Sequence, residues 1–226
     1  MKMRIYYHPA STTSRPLVLF AAESGMDIDF QLVDLFTGEQ RKDAYGTINP
    51  SHLVPVLDDG DFRLTESSAI LKYLADKIDS PAYPKDLRAR ARVHERMDWI
   101  NTQVCRDLAY GLVYPQILPT HKRRSEEAQA ATLEWAKERV KDWMSVLDRN
   151  LLGARNRYLC GDAITIADYF GAPFVALGET IRCDYSPYPN VERWLGNMKR
   201  LASWRKTNEV IDGFAASLKD VKFVAL

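Results

Sequence analysis

The sequence predicts two domains, an α/β domain over residues 1–79 and an all-helical domain over residues 88–226, with a linker at 80–87 between them. Three observations support this division. Segments with strand-like and helix-like patterns alternate in the first part, whereas no convincing strand pattern follows it. All five tryptophans lie after residue 98, and two prolines between Ser80 and Pro84 interrupt regular structure.

The α/β domain is predicted element by element. Pro16 suits the first turn of a helix and Gly25 suits its end, while Asp58-Asp59-Gly60 indicates a hairpin between two strands. The predicted strands lie at 3–7, 29–35, 56–57 and 62–64, and the predicted helices at 16–25, 37–46 and 67–77. This order, βαβαββα with a mixed four-stranded sheet, is that of a thioredoxin-like domain.

The second domain is predicted to be a bundle of helices. Helical spacing of apolar residues places them at about 87–108, 124–151, 165–178 and 190–202. Thr165 and Asp168 have the spacing of a capping box, with Ile164 placed as the staple residue. We therefore expect Asp168 to serve folding and not catalysis.

Charge and hydropathy exclude several classes of protein. The chain has 31 basic and 30 acidic side chains, a net charge of +1 that argues against broad electrostatic capture of nucleic acid or of an anionic membrane. No apolar run approaches the roughly 18 residues of a membrane span, and the first residues do not resemble a secretory signal. A cytoplasmic protein without nucleic-acid or membrane partners is expected.

Neither the cysteines nor the histidines indicate a metal site. Cys105, Cys160 and Cys183 are far apart and form no C-x-x-C motif, so we expect free thiols and neither disulfides nor zinc. The histidines also lack metal-ligand spacing.

The first candidate functional segment is the hydroxyl-rich loop at residues 10–15. It lies between a predicted strand and the N-terminus of a helix, where free amides and the helix dipole favour an anion. There the Ser11 hydroxyl is able to donate a hydrogen bond to a thiolate. The alternative is that these hydroxyls only cap the helix and the turn.

Two further segments follow, each with a structural alternative. A cis bond between Val54 and Pro55 would turn the Val54 backbone toward an extended ligand, although an ordinary trans proline also fits a strand start. At the next helix start, Ser67 suits a ligand carboxylate and Glu66 a ligand ammonium. Taken alone, that segment also fits an ordinary capped helix.

These three segments, in this order and spacing, resemble the N-terminal domain of cytosolic glutathione transferases, and the likeness extends over essentially the whole chain. The run from Tyr6 to Ser11, followed by Arg15, is most similar to theta-type serine enzymes, which include bacterial members. The phi and zeta classes also use serine at this position, so they are alternative class assignments.

The resemblance implies that Ser11 stabilises the thiolate of glutathione, helped by Thr12 and Arg15. Tyr7 is the competing candidate, because its position fits the tyrosine that serves this purpose in the alpha, mu and pi classes. The resemblance also implies a homodimer that uses glutathione as co-substrate, without a metal or prosthetic group.

The resemblance further assigns the parts of glutathione to segments of the chain. Val54 and Pro55 would bind the cysteinyl part, and Glu66 and Ser67 the γ-glutamyl end. Leu53 stands where many members carry Lys or Gln, so the glycine carboxylate is assigned to Gln40, Arg41 or His52. An electrophile pocket between the domains would be lined by Ala10, Thr12, Tyr110 and Tyr114.

The implied activity is conjugation of glutathione to small electrophiles. Two alternatives are kept open. One is a glutathione-dependent dehalogenase or isomerase of the same fold, and the other is a noncatalytic binding module.

Overall fold

The computed structural model describes residues 2–226. Four strands form one mixed sheet: β1 (Arg4–Tyr7), β2 (Asp29–Leu32), β3 (Val56–Asp59) and β4 (Phe62–Leu64). The spatial order is β2-β1-β3-β4, in which β1 runs parallel to β2 and antiparallel to β3, and β3 runs antiparallel to β4. The predicted thioredoxin-like sheet is confirmed.

Three helices accompany the sheet: α1 (Arg15–Glu23), α2 (Asp43–Gly46) and α3 (Ser67–Lys77), with a 3₁₀ turn at Glu39–Arg41. Both α1 and α3 contribute buried side chains such as Phe20 and Leu74 to the main core, in which Ile5 and Leu57 of the sheet are also buried. A smaller cluster around Tyr45 and Val56 is separate from the main core. Loops that leave these elements carry the candidate site.

The rest of the described chain is helical, as predicted. Its α-helices are α4 (Leu87–Trp99), α5 (Tyr114–Ile117), α6 (Glu126–Val146), α7 (Ile166–Ala176), α8 (Pro189–Lys199) and α9 (Trp204–Ser217). The π-helical segments Ile100–Val113 and Leu147–Leu152 join α4 to α5 and extend α6. No helix within residues 2–226 is long and apolar enough to cross a membrane.

Two features of the helical part differ from the sequence interpretation. The helix that begins at Leu87 does not end near Leu108 but continues through Gly111 to Ile117. A Cβ at Gly111 would lie 2.9 Å from the Ala136 Cβ, so the bare glycine lets α6 pack closely while the helix continues. The last helix, α9, was not among the predicted elements.

Helix α7 unites the two parts of the molecule. It packs against α1, α3 and α4, and its fully buried Phe170 belongs to a core that also includes Ile5 of β1. The predicted capping box is confirmed at Thr165 and Asp168. Asp168 is fully buried and accepts four hydrogen bonds, from the Leu159 and Thr165 amides, the Thr165 hydroxyl and the Trp194 indole, at 2.7–2.9 Å.

The three cysteines carry free thiols within residues 2–226, as expected from the sequence. Burial raises the pKa of Cys105 to about 12 and the pKa values of Cys160 and Cys183 to about 11. These thiols therefore stay protonated near neutral pH.

Candidate active site at the domain boundary

A cavity of about 360 Å³ opens where the α/β domain faces the helix that follows Trp99. Its lining includes Thr13, Val54, Pro55, Glu66 and Ser67 from the first domain and Tyr110 from the second. This volume lies within the range of ligand pockets, about 300–1,000 Å³. Three of the segments singled out in the sequence thus meet around one cavity.

The hydroxyl loop after β1 forms one edge of this site. Ser11 is half-buried, and its Oγ lies 3.0 Å from the Thr13 Oγ1 and accepts the Ser14 amide at 3.2 Å. The Thr13 hydroxyl in turn donates to the Val54 carbonyl at 2.9 Å. Two loops that are 41 residues apart in sequence are therefore joined by a short chain of hydroxyls.

Side-chain hydrogen bonds hold the backbone of the segment before β3. The Leu53 carbonyl accepts hydrogen bonds from the Tyr45 hydroxyl and from the Asn49 amide, both at 2.8 Å. The Val54–Pro55 peptide bond is cis, which decides between the cis and trans alternatives that the sequence left open. The backbone just before Val54 is thus held beside the cavity by two side chains, and one of them, Asn49, also lines the cavity.

The start of α3 forms the opposite edge. Glu66 is exposed and adopts a left-handed backbone conformation with φ of 65°, and Ser67 begins the helix. The first amides of a helix have no partners inside it, and they carry the positive end of the helix dipole. This edge combines donors for an anion with a carboxylate for a cation.

Gln40, Arg41 and His52 lie close to one another but do not line the described cavity. The His52 Nδ1 donates to the Gln40 carbonyl at 2.7 Å, which leaves Nε2 of the neutral ring as an acceptor. A neutral His52 therefore cannot donate a hydrogen bond to a ligand carboxylate. The Gln40 Oε1 is buried without a hydrogen-bond partner among residues 2–226.

Arg15 and Thr12 are turned away from Ser11. The fully buried Arg15 guanidinium donates to the Asn208 side chain at 2.6 Å and to the Pro173 carbonyl at 3.3 Å, and burial lowers its pKa to about 10. Thr12 is buried and accepts the Tyr114 hydroxyl at 2.9 Å. The Arg15 backbone amide donates to the Ser11 carbonyl at 3.1 Å, but in the part of the chain described neither side chain hydrogen-bonds the Ser11 hydroxyl. The expected direct help from these two side chains is therefore not seen.

The aromatic residues proposed for the electrophile pocket divide into two roles. Tyr110 lines the cavity, and its ring packs with those of Tyr114 and His121 at centroid distances of 5.1–5.7 Å. Burial raises the pKa of Tyr114, and its hydroxyl donates a hydrogen bond to the Thr12 hydroxyl oxygen. Ala10, Thr12 and Tyr114 are not among the described residues that line the cavity.

Tyr7, the competing candidate for thiol activation, has a packing contact. Its ring meets Phe30 of the neighbouring strand edge-on, with centroids 5.1 Å apart. It is not among the described residues that line the cavity. Ser11 is not among these lining residues either, but Thr13 of the same loop is, and it is hydrogen-bonded to Ser11. This contact favours the hydroxyl loop over β1 as the source of a donor.

The sequence assigned no individual binding role to several cavity residues, namely Thr13, Asn49, Asn101, Cys105 and Arg106. The signal for Thr13 was present in the run of hydroxyls from Ser11 to Ser14, but its orientation toward Val54 depends on the fold. No group of three or more His, Cys, Asp or Glu side chains within residues 2–226 is arranged to hold a metal ion.

The fold and the site together define a class of protein. It is a two-domain protein in which a thioredoxin-like domain presents a hydroxyl loop, a cis-proline segment and an open helix start to one cavity, and a helical domain covers that cavity. Residues 10–77 match the family model "Glutathione S-transferase, N-terminal domain", and residues 107–202 match "Glutathione S-transferase, C-terminal domain".

Individual relatives agree with this class. The chain is 31% identical to glutathione S-transferase theta-1 of Homo sapiens over 215 residues, covering 94% of this chain and 85% of the relative. It is 33% identical to the human theta-2 enzyme over 225 residues, covering 94% and 83%. The structure of human theta-2 in complex with glutathione and an unknown ligand superposes with a TM-score of 0.82 at 26% identity, covering 99% and 93%. The chain belongs to the glutathione S-transferase family.

Proposed function

We propose that the protein is a glutathione transferase of the theta-like serine type that holds glutathione as a thiolate for attack on small electrophiles. The observation that carries the proposal is the position of the Ser11 hydroxyl. Ser11 is not itself among the described lining residues, but its hydroxyl is hydrogen-bonded to Thr13, which lines the cavity together with Val54, Glu66 and Ser67. Glutathione is the co-substrate.

Thiol ionisation is the chemical step that Ser11 serves. A free thiol with a pKa of about 8.5 is only about 3% ionised at pH 7, and lowering this pKa by about two units makes it mostly thiolate. That shift corresponds to about 2.7 kcal/mol. A charge-assisted hydrogen bond from Ser11, worth about 1.5–3 kcal/mol, together with the N-terminus of α1 has the required size.

The rest of glutathione binds through backbone and charge. The Val54 carbonyl accepts the cysteinyl amide, the α3 amides and Ser67 hold the γ-glutamyl carboxylate, and Glu66 pairs with its ammonium. The glycine carboxylate is assigned to Gln40 and Arg41. His52 is kept as the alternative residue for this carboxylate, although its Nδ1 already donates to the Gln40 carbonyl.

The second domain completes the electrophile site. Tyr110 forms its wall beside the thiolate, and Tyr114, which packs against Tyr110 and donates to Thr12, supports that wall. Ala10 stays assigned to this pocket by the resemblance alone. We assign residues 1–79 to glutathione binding, 80–87 to a linker and 88–226 to the electrophile site and dimer contacts. A cytoplasmic homodimer is proposed, similar to bacterial members of the serine type.

Calorimetric titration with glutathione, followed by turnover of a panel of alkyl halides, epoxides and activated aromatic halides, tests this function. Wild-type protein is expected to bind glutathione and to turn over at least one electrophile. Ser11→Ala is expected to keep most of the binding and to lose about 10–100-fold in turnover, equivalent to about 1.4–2.7 kcal/mol of thiolate stabilisation.

Tyr7→Phe is the matched control, because it removes one hydroxyl from the same end of β1. It is expected to retain turnover. Absence of glutathione binding by the wild type would contradict the whole proposal, and binding without turnover would indicate a noncatalytic module. Loss of turnover in Tyr7→Phe alone would transfer the role of Ser11 to Tyr7.

A further inference from the structure

The hydrogen-bond partners of Ser11 and Thr13 determine which hydroxyl is the donor in each contact. A carbonyl only accepts, so the 2.9 Å contact between Thr13 Oγ1 and the Val54 oxygen uses the single proton of Thr13. The 3.0 Å contact between Thr13 and Ser11 must therefore use the proton of Ser11. The Ser14 amide donates to Ser11 and adds no competing acceptor.

The resulting chain runs in one direction, from the Ser14 amide through Ser11 and Thr13 to the Val54 carbonyl. Its consequence is that the only proton Ser11 can donate points at Thr13. For Ser11 to donate to a sulfur atom in the cavity, this neutral hydrogen bond must be exchanged for a new one.

We infer that Thr13 is a positioning residue that restrains thiol activation: its oxygen holds the Ser11 proton, and Ser11 must release Thr13 before it can donate to the sulfur of glutathione. This inference rests on the proposed function of Ser11. The hydroxyl pair offsets part of the stabilisation that Ser11 gives to the thiolate. The proton lost by the thiol itself passes to solvent, and no bond between heavy atoms changes.

The Val54 carbonyl connects this restraint to ligand binding. A cysteinyl amide that donates to Val54 approaches the same oxygen that accepts the Thr13 hydroxyl. Thr13 also lines the cavity. It therefore contacts both the proposed acceptor of the cysteinyl amide, the Val54 carbonyl, and the proposed donor to the sulfur, the Ser11 hydroxyl. Its hydroxyl needs only a rotation about one bond to release Val54.

The test measures the thiol pKa of bound glutathione from thiolate ultraviolet absorbance as a function of pH. Thr13→Val keeps the branched shape but removes the acceptor for the Ser11 proton. The thiol pKa is expected to fall by about 0.4–1 unit relative to wild type, which is the effect of freeing one neutral hydrogen bond. Thr13→Ser, which keeps the hydroxyl, is expected to return the wild-type value.

A purely structural role for Thr13 would not lower this pKa. Thr13→Ala is a second variant without the hydroxyl, and thermal unfolding of each variant checks that it is folded. In a Ser11→Ala background, Thr13→Val is expected to have no further effect, because the proton that it frees is no longer there.

Different results would contradict the role of Thr13 and the proposed role of Ser11. An unchanged or raised thiol pKa in both Thr13→Val and Thr13→Ala would overturn the role of Thr13, and so would an effect that persists without Ser11. If the wild type shows no bound thiolate, or if Ser11→Ala keeps it, the proposed role of Ser11 fails instead.

Discussion

The first turns of α7 and α3 begin with similar residues, a hydroxyl and an acid, but use them in opposite ways. At α7 the Asp168 carboxylate is fully buried and accepts four hydrogen bonds from within the chain. At α3 the Glu66 side chain is exposed, and no side chain of the described residues caps the helix. At the start of α7 the polar groups find their hydrogen-bond partners within the chain, whereas at the start of α3 the polar groups are available to a ligand.

The physical difference lies in where the partners come from. A buried carboxylate is tolerated only when donors surround it, and Leu159, Thr165 and Trp194 supply them from three parts of the chain. Glu66 and the α3 amides stay beside a cavity, where a zwitterionic ligand is able to supply both the acceptor and the donor. Helix-start signals in a sequence therefore do not distinguish folding from binding by themselves.

The largest effect is expected at α7. Asp168→Ala leaves four buried donors without an acceptor and is expected to lower the free energy of unfolding by about 3 kcal/mol or more. Urea unfolding followed by tryptophan fluorescence measures this loss. Asp168→Asn keeps one acceptor oxygen and is expected to lose less; a loss below about 1 kcal/mol in Asp168→Ala would contradict the structural role.

The matching change at α3 should act on binding alone. Glu66→Gln keeps the shape but removes the charge, and it is expected to weaken glutathione binding about 10-fold while changing the free energy of unfolding by less than about 0.5 kcal/mol. Calorimetric titration and urea unfolding on the same samples provide both values.

Glu138→Gln is the control for that experiment, because Glu138 is an exposed acid that pairs with Lys141 on the surface of α6. It should change neither quantity. Equal binding by Glu66→Gln and wild type would remove Glu66 from the site and would leave α3 an ordinary helix start.

A smaller, pH-dependent effect is expected in the loop beside Ser11. His8 is buried, burial lowers its pKa below 6.5, and its Nδ1 accepts the Ala10 amide at 3.1 Å. The folded protein therefore disfavours the protonated ring, whereas the unfolded chain takes up the proton near pH 6.5. Stability from this group is present above pH 6.5 and is lost as the pH falls below it.

The measurement compares wild type with His8→Gln, which offers an acceptor but does not titrate. Between about pH 7.5 and about pH 5.5, wild type is expected to lose about 0.5–1 kcal/mol more unfolding free energy than the variant. Contributions from His94 and His121 are common to both proteins and cancel. Parallel pH profiles would show that the His8 ring does not support the loop through its neutral form.

Local patterns were sufficient for much of this structure. The hairpin after Asp58 and the capping box at Asp168 depend on nearest neighbours, and both are present where the sequence predicts them. The helix from Leu87 continues past Gly111, where it packs closely against Ala136 of α6, and no local pattern contains this distant contact.

The candidate site shows the same limit. The residue types at Ser11, Val54 and Glu66 indicated a binding site, but the direction of a long side chain depended on remote partners. The Arg15 side chain turns away from Ser11 and donates a hydrogen bond to the Asn208 side chain, 193 residues later in the sequence. Thr13 was overlooked because its partner, the Val54 carbonyl, is a backbone atom that residue identity does not reveal.

The central claim is that the Ser11 hydroxyl keeps bound glutathione ionised. Titration of the thiolate absorbance of glutathione bound to wild type and to Ser11→Ala tests it most directly. We predict a thiol pKa near or below about 7 in the wild type, and a return toward about 8.5 in the variant. Equal pKa values in the two proteins, or a wild-type value equal to that of free glutathione, would contradict it.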